Sequence, residues 1–216
     1  MELRFGDDGL IAAVIQDRLT GQVRMVGHMN REALAATLKS GRVTFFSRSR
    51  SKLWEKGESS GNQLLVTAIF ADCDADALLV QVDPVGPTCH TGRPSCFFRR
   101  VDGEGIAAEE GRDASAFLEE LGREIEARKQ SSGEKSYTRH LLDGGAPRIG
   151  AKLREEAGEL AEALADETDE RVASEAADVI YHLMVGLSAR GLELRAVSAA
   201  LAARAGTSGH AEKARR

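Results

Sequence analysis

Residues 72–96 read DCDADALLVQVDPVGPTCHTGRPSC, a short stretch that holds three alternating aspartates and all three cysteines of the chain. In an extended segment, successive side chains point to opposite faces. Asp72, Asp74 and Asp76 would therefore share one face, and Cys73 would lie on the other. Carboxylates bind the hard cation Mg²⁺, whereas thiolates bind the softer Zn²⁺. The stretch thus indicates sites for two different metals.

The composition narrows the class of protein. The chain has 216 residues, 42% of them apolar, and a net charge of −5, so it can form one large domain or two small ones with a buried core. The acidic balance argues against a nucleic-acid or membrane-surface protein. The start MELRFGDDGL predicts no signal peptide, and the longest apolar run, 64–71, is too short to span a bilayer. An odd cysteine count then favours a reducing cytoplasm, where clustered thiols serve more often as metal ligands than as disulfides.

Short apolar and β-branched runs predict strands in the first hundred residues. They cover 10–15, 22–25, 43–46, 64–70, 77–82 and 96–101. One helix interrupts them, with Asn30 as a candidate N-cap and Gly41 just past its end. The first half is therefore strand-rich with one helix.

From about residue 113 the pattern becomes helical. Ala-rich amphipathic segments cover 113–130, 147–166, 169–190 and 192–204. The preceding stretch VDGEGIAAEEGRD is polar, contains glycine and has no periodicity. We therefore predict two domains, 1–105 and 113–216, joined by a linker at 106–112.

Two of the predicted helices carry acidic faces. Their acidic residues are Glu155, Glu156 and Glu159 in the first and Glu175 and Asp178 in the second. The opposite faces are apolar, with Leu153, Ala157, Leu160, Ala161 and Leu164 in the first and Val172, Ala176, Val179, Leu183 and Leu187 in the second. Each helix alone is also typical of an ordinary helix with a solvated face. Because like charges at these spacings repel unless neutralised, the pair favours a Mg²⁺ site that binds a di- or triphosphate.

A family resemblance sharpens this interpretation. The stretches EKSYTRHLLDGG, IGAKLREEAGELAEAL and VASEAADVIYHLMVGL resemble phosphoribosyl-ATP pyrophosphohydrolase, an all-α MazG-like enzyme, over about residues 115–204. The resemblance implies that the five carboxylates hold Mg²⁺, that pyrophosphate is released from an α–β bond, and that Lys152 contacts a phosphate. His182 shares the acidic face, and we expect a supporting or structural role for it. The alternative is a general nucleotide pyrophosphohydrolase fused to a zinc domain, which would also hydrolyse common dNTPs.

The first half resembles a second family. VGHMNREAL, VTFFSRSRSKLWEKGESSGN, DCDADALLVQVDPVGPTCHTG and SCF are similar to phosphoribosyl-AMP cyclohydrolase over most of residues 23–98. The family usually has Trp at the position of Phe46 and Tyr at that of His28, and both replacements keep a ring. The resemblance implies an α+β domain with mostly antiparallel strands, followed by the all-α helical domain.

The same resemblance assigns the metals of the first half. It implies Mg²⁺ at the three aspartates and Zn²⁺ at Cys73, Cys89 and Cys96, with Cys73 supplied by the partner subunit of a homodimer. Three thiolates leave a fourth position for water, whose pKa zinc lowers. The implied reaction is hydrolytic opening of the adenine ring between N1 and C6, with His90 as a candidate proton-transfer residue. A closed structural site of three cysteines and His90 is the alternative, although the cysteines lack CxxC pairing.

A basic segment beside Gly57 supplies candidate phosphate contacts. Its members are Arg48, Arg50, Lys52 and Lys56. A solvated turn between strands is the alternative. Together the two halves predict a bifunctional hydrolase for two consecutive steps of histidine biosynthesis, acting on small nucleotides with Zn²⁺ and Mg²⁺ and without nucleic-acid or membrane partners. A metal-sensing or zinc-stabilised interaction protein without turnover is the remaining alternative.

Overall fold

The computed structural model describes residues 2–103, 105–106, 117–130 and 136–205. The chain folds as two compact units, Met1–Ala116 and Phe117–Arg216. Apart from Ile106, the predicted linker at 106–112 lies outside the described residues, as do 113–116 of the first predicted helix of the second half. Within the described ranges, no helix has both the length and the apolar character needed to cross a membrane.

The N-terminal unit is an α+β fold in which antiparallel pairs predominate, as predicted. Its elements are β1 (Ile11–Asp17), β2 (Val23–Met29), α1 (Arg31–Ser40), β3 (Thr44–Ser47), β4 (Lys52–Glu55), β5 (Leu64–Ala71), β6 (Ala77–Pro84), β7 (Val101–Asp102) and β8 (Gly105–Ile106). The main sheet has the order β2-β1-β6-β5. Strands β1 and β2 and strands β5 and β6 pair antiparallel, whereas β1 and β6 pair parallel at the centre.

Local sequence explains these elements well. Strand β1 alternates buried and half-buried positions, which places Ile11, Ala13 and Ile15 in the core. The Asn30 side chain accepts a 2.8 Å hydrogen bond from the Ala33 N–H and so caps α1. Gly41 ends α1 in the left-handed region at φ 69°, where glycine carries no steric cost. Both predicted helix signals are confirmed.

Two local predictions in this unit are wrong. Residues 96–100 form no strand, because side-chain and backbone hydrogen bonds tie 94–96 to Val23 and Arg24 at the start of β2 instead. Residues 72–76 are not extended but form the tight turn between β5 and β6, with Ala75 at φ 62°. The Asp72 carboxylate accepts the N–H groups of Asp76 and Ala77 at 3.0 and 3.1 Å, and this Asx-type turn displaces the expected extended backbone.

The second unit is all-α, as predicted. Its helices are α2 (Phe117–Gln130), α3 (Tyr137–Asp143), α4 (Gly145–Asp166), α5 (Asp169–Ala189) and α6 (Leu194–Arg204). Two residues separate α4 from α5, so the two long helices form an antiparallel pair. The core is small and apolar, and it consists of Ile125, Leu141, Ile149, Met184 and Val185. The short helix α3 was not predicted as a separate element.

The long helices bury an unexpected face. Glu156 of α4 and both Glu175 and His182 of α5 are buried. The apolar side of α4 is less enclosed, since Leu164 is 65% exposed and Leu160 is half-buried. Within one chain, Glu156 and Glu175 therefore face inward and the apolar stripe of α4 is left partly open.

Candidate active sites

The aspartate turn gathers three carboxylates at the surface. Asp72, Asp74 and Asp76 each offer an oxygen within 4.8 Å of the others, and all three residues are exposed. The charge of Asp74, followed by that of Asp72, raises the pKa of Asp76. The backbone N–H of Ala77 instead lowers the pKa of Asp72. The turn therefore brings the predicted Mg²⁺ ligands together, although not on an extended face as expected. A cation bound between them would relieve the repulsion of their charges.

The loop after β6 brings two thiols together. Cys89 and Cys96 lie close enough to interact, and this interaction lowers the pKa of Cys89 and raises that of Cys96. Burial alone would raise the pKa of Cys89, but hydrogen bonds, chiefly from Thr91 at 3.2 Å, outweigh it and lower that pKa. Burial, followed by the neighbouring Cys89, raises the pKa of Cys96 to about 11. Two neighbouring thiols could supply two of the four ligands of a tetrahedral zinc site.

The third predicted zinc ligand lies elsewhere. Cys73 is exposed in the aspartate turn, with its sulfur 3.9 Å from an Asp74 carboxylate oxygen. The expected placement of Cys73 on the face opposite the aspartates is therefore wrong, because the turn folds both onto one side. Among the residues that the structure describes, Cys73 does not join Cys89 and Cys96 in a metal-sized cluster. His90 is exposed, with Nδ1 3.8 Å from the Cys89 sulfur.

The basic segment is divided between two environments. Arg48 and Arg50 lie in the exposed turn between β3 and β4, and Lys52 is exposed on β4. Lys56 is instead buried. Burial lowers the pKa of Lys56, while the charges of Cys96 and Cys89 act in the opposite direction. Lys56 therefore belongs to the surroundings of the thiol pair, and the structure does not bring the four cations together.

The helical unit holds the second carboxylate cluster. Glu156, Glu175 and Asp178 each offer an oxygen within 4.8 Å of the others. Lys152 lies 2.8 Å from Glu156, and Arg171 lies 2.7 Å from Glu175. The second oxygen of Glu175, Oε2, is buried without a hydrogen-bond partner. An unsatisfied carboxylate oxygen is costly unless something binds it, and a divalent cation fits this donor set.

The two remaining predicted ligands lie at the rim. Glu155 and Glu159 are exposed and stand outside the three-carboxylate group. Burial, followed by the charges of Glu156 and Glu175, nevertheless raises the pKa of Glu159. Hydrogen bonds to Glu156 and Glu155 raise the pKa of Lys152 well above its usual value. Lys152 therefore neutralises carboxylates in this arrangement.

His182, which was expected in a supporting or structural role, lies next to the helical cluster beside Tyr137 and Tyr181, two tyrosines that the sequence analysis did not single out. Buried His182 faces Glu156, with Nδ1 3.9 Å from a carboxylate oxygen, and the same Nδ1 donates to the Asp178 carbonyl at 2.8 Å. In the neutral imidazole, Nε2 must then accept the hydroxyl of Tyr137 at 3.0 Å. Tyr137 also stacks on Tyr181, with ring centroids 6.4 Å apart. The quoted EKSYT and YHL motifs contained these residues, but only the folded α3 brings them together.

Comparison with known families agrees with the two units. Residues 25–98 match the family model of phosphoribosyl-AMP cyclohydrolase, and residues 118–205 match that of phosphoribosyl-ATP pyrophosphohydrolase. A histidine biosynthesis bifunctional protein HisIE from Caldanaerobacter subterraneus subsp. tengcongensis is 46% identical over 193 residues, which cover 89% of this chain and 91% of that protein. This chain belongs to the HisIE family. Both suspected family resemblances are thereby confirmed.

Other HisIE relatives extend the similarity across the chain. The protein from Shewanella oneidensis is 48% identical over 91% of this chain and 88% of its own length. That from Photobacterium profundum is 46% identical over 88% of this chain and 90% of its own length. As a HisIE family member, the chain is a bifunctional hydrolase with cyclohydrolase and pyrophosphohydrolase domains. Because the matches cover both halves together, they favour this assignment over an unrelated fusion or a protein without turnover.

Proposed function

We propose that the helical unit hydrolyses phosphoribosyl-ATP to phosphoribosyl-AMP and pyrophosphate, and that the N-terminal unit then opens the adenine ring of phosphoribosyl-AMP between N1 and C6. The two domains are 1–105 and 113–216, with the linker at 106–112. The order of the units in the chain is thus the reverse of the order of the reactions.

The unsatisfied buried oxygen of Glu175 carries the proposal for the helical unit. Glu156, Glu175 and Asp178 hold Mg²⁺, with Glu155 and Glu159 at the rim of the site. When bound there, Mg²⁺ neutralises the charge that develops on the phosphates and orients them. Lys152 exchanges its carboxylate partners for a substrate phosphate as the metal takes over their charge.

In the N-terminal unit, the exposed aspartates of the β5–β6 turn hold Mg²⁺. Cys89 and Cys96 hold Zn²⁺ together with the partner subunit's Cys73. When bound, Zn²⁺ lowers the pKa of a water molecule so that it is a nucleophile near neutral pH. His90 beside Cys89 transfers a proton during ring opening. A closed structural site with His90 as fourth ligand is the alternative, and it predicts no ring opening.

Arginine and lysine side chains of this unit also contact the substrate. Arg48, Arg50 and Lys52 are exposed and contact phosphate groups from the β3–β4 hairpin. Lys56 lies deeper, and its burial beside the thiols supports a contact close to the reacting ring rather than at the surface. Separating the four cations in this way gives the phosphate and the ring different partners.

Two observations support a homodimer. Cys73 is exposed and lies outside the Cys89–Cys96 pair in the described part of the chain, which leaves the zinc site short of a thiolate. The open apolar stripe of α4, with Leu164 65% exposed, supplies a second surface that a symmetric partner covers. We place the protein in the cytoplasm, where its three free cysteines stay reduced.

Mixing two inactive variants tests the shared zinc site. Cys73→Ser and Cys96→Ser should each abolish ring opening. A dimer with one subunit of each kind keeps one intact site, so statistical mixing should restore about a quarter of parent activity. Either variant mixed with itself is the control. Full ring opening by Cys73→Ser alone would contradict the proposal.

The helical site needs a separate test. Glu156→Gln should abolish pyrophosphate release from phosphoribosyl-ATP, while ring opening of supplied phosphoribosyl-AMP continues. Glu162→Gln is the matched control, because Glu162 is an exposed glutamate on the same helix outside the carboxylate cluster. Comparable hydrolysis of common dNTPs by the parent would favour a general nucleotide pyrophosphohydrolase instead.

A further inference from the structure

A charged pair lies buried where strand β1 ends and strand β2 begins. The Asp17 side chain is fully buried and that of Arg24 is 9% exposed, and the two form a direct ion pair. The other ion pairs of this unit that the structure describes, such as Arg18 with Asp83, are far more exposed. Moving two charged groups out of water costs several kcal/mol per ion, and the attraction between the two charges offsets an energy of similar size. Such a pair is weak evidence for stability and points to a role in fixing geometry.

Each oxygen of Asp17 has a separate task. Oδ1 accepts the Leu19 N–H at 3.0 Å and so shapes the turn between β1 and β2. Oδ2 receives the Arg24 guanidinium. Asp17 therefore fixes the direction of the Arg24 side chain from a turn that is itself closed by the Gly21 N–H to Asp17 carbonyl bond of 2.9 Å.

Arg24 connects the Asp17 turn to the loop that carries Cys96. Its second guanidinium nitrogen donates to the Pro94 carbonyl at 3.1 Å. Its backbone carbonyl accepts the Cys96 N–H at 2.8 Å. Between these two bonds lies Ser95, fully buried, whose hydroxyl donates to the Val23 carbonyl at 2.8 Å. Residues 94–96 are thus held to β2 at three consecutive positions.

The hydrogen bonds that hold residues 94–96 to β2 end at Cys96, a proposed zinc ligand. Cys96 follows the anchored Ser95, and its thiol already contacts Cys89. Neither Asp17 nor Arg24 belongs to either metal-sized cluster of the described chain. Their connection to the thiol pair runs through residues 94–96, which Arg24 holds by hydrogen bonds.

We propose that Asp17 and Arg24 are positioning residues that hold Cys96 in its metal-binding place before zinc arrives. This inference rests on the zinc site of the proposed function. Partners that orient metal ligands typically contribute about 10–100-fold to metal affinity, because a ligand held in place loses less conformational freedom when it binds.

Zinc affinity of the full chain tests the proposal. Asp17→Asn keeps the size of the side chain but removes its charge, and competition with a chromogenic chelator should show zinc binding weakened about 10–100-fold. Asp83→Asn is the matched control, because it breaks the more exposed ion pair between Asp83 of β6 and Arg18, which follows β1, and its zinc affinity should equal the parent's. In zinc-free protein, hydrogen exchange at the Cys96 amide should be faster in Asp17→Asn than in Asp83→Asn.

Arg24→Lys is a second variant that keeps the test valid if Asp17→Asn does not fold. A lysine can pair with Asp17 but cannot also reach the Pro94 carbonyl with a second nitrogen, so zinc affinity should fall while pyrophosphate release by the other unit persists. Parent-like zinc affinity in folded Asp17→Asn or in Arg24→Lys would overturn the proposal. A parent protein that binds no zinc would instead overturn the proposed site, and this inference with it.

Discussion

Replacing Glu175 with glutamine should stabilise the helical unit when no metal is present. Ligand oxygens of Glu175, Glu156 and Asp178 lie within 4.8 Å of one another, and two like charges at that distance repel by about 3.5 kcal/mol at an effective dielectric constant of about 20. The variant loses its ion pair with half-exposed Arg171, which contributes about 0.5–1 kcal/mol. Allowing for neutralisation of Glu156 by nearby Lys152, we expect a net gain of about 1–2 kcal/mol.

Magnesium should reverse this order. The parent gains stability by mass action as Mg²⁺ occupies the cluster, whereas Glu175→Gln lacks a ligand and should respond little. Helical ellipticity reports mainly the C-terminal unit, which holds five of the six helices in the part of the chain that the structure describes, and Trp54 fluorescence reports the other unit. A gain of 1 kcal/mol should raise the melting temperature of a unit this size by about 4–8 °C.

Glu167→Gln is the matched control for this experiment. Glu167 pairs with the same Arg171 at 3.3 Å but lies outside the carboxylate cluster. Its stability should change little with or without Mg²⁺. If metal-free Glu175→Gln melted below both the parent and this control, attraction to Arg171 would exceed the repulsion, and the reasoning would be refuted.

Three further predictions concern acid stability, packing and domain structure. The hydrogen bond from Ser188 at 2.8 Å is the largest cause of the lowered pKa of Glu126. The ionised Glu126 side chain therefore stabilises the fold at neutral pH, and this stabilisation is lost as the pH falls through the lowered pKa. Glu126→Gln should therefore be less stable than the parent in urea unfolding at neutral pH, and this difference should disappear once the pH is below the lowered pKa; equal stability under both conditions would contradict this. A Cβ added at Gly27 would overlap the buried Phe45 ring, so Gly27→Ala should lose about 1–3 kcal/mol in the same assay, and a parent-like midpoint would count against the packing. Fragments 1–105 and 111–216 should each fold and each keep one activity, unless they share a core and regain activity only when co-expressed.

The sequence predicted elements best where the signal is local. The cap at Asn30, the terminal Gly41 and the alternation of β1 depend on neighbouring residues only, and each is present as expected. The aspartate cluster was also anticipated, but for the wrong backbone reason. Asp72 accepts N–H groups from residues 76 and 77, and this local competition with an extended strand is not visible in a period-two pattern.

Long-range contacts account for what the sequence did not predict. Residues 96–101 look like a strand, but Ser95 and Cys96 bond to β2, more than 70 positions away. The acidic faces of α4 and α5 were predicted to meet at a metal site, but the sequence did not show that Glu156 and Glu175 would be buried, with Lys152 and Arg171 alongside. Periodicity shows that a helix has two faces, and the choice of the buried face depends on what packs against it.

Product analysis of the whole chain tests the central claim of two consecutive hydrolyses at separate metal sites. Purified protein with Mg²⁺ and Zn²⁺ is given phosphoribosyl-ATP, and the products are identified by mass. We predict pyrophosphate and the ring-opened nucleotide from the parent, accumulation of phosphoribosyl-AMP with Cys89→Ser, and unchanged substrate with Glu156→Gln. If Cys89→Ser stopped pyrophosphate release while staying folded, or if Glu156→Gln still gave the ring-opened product, the two-site account would be contradicted.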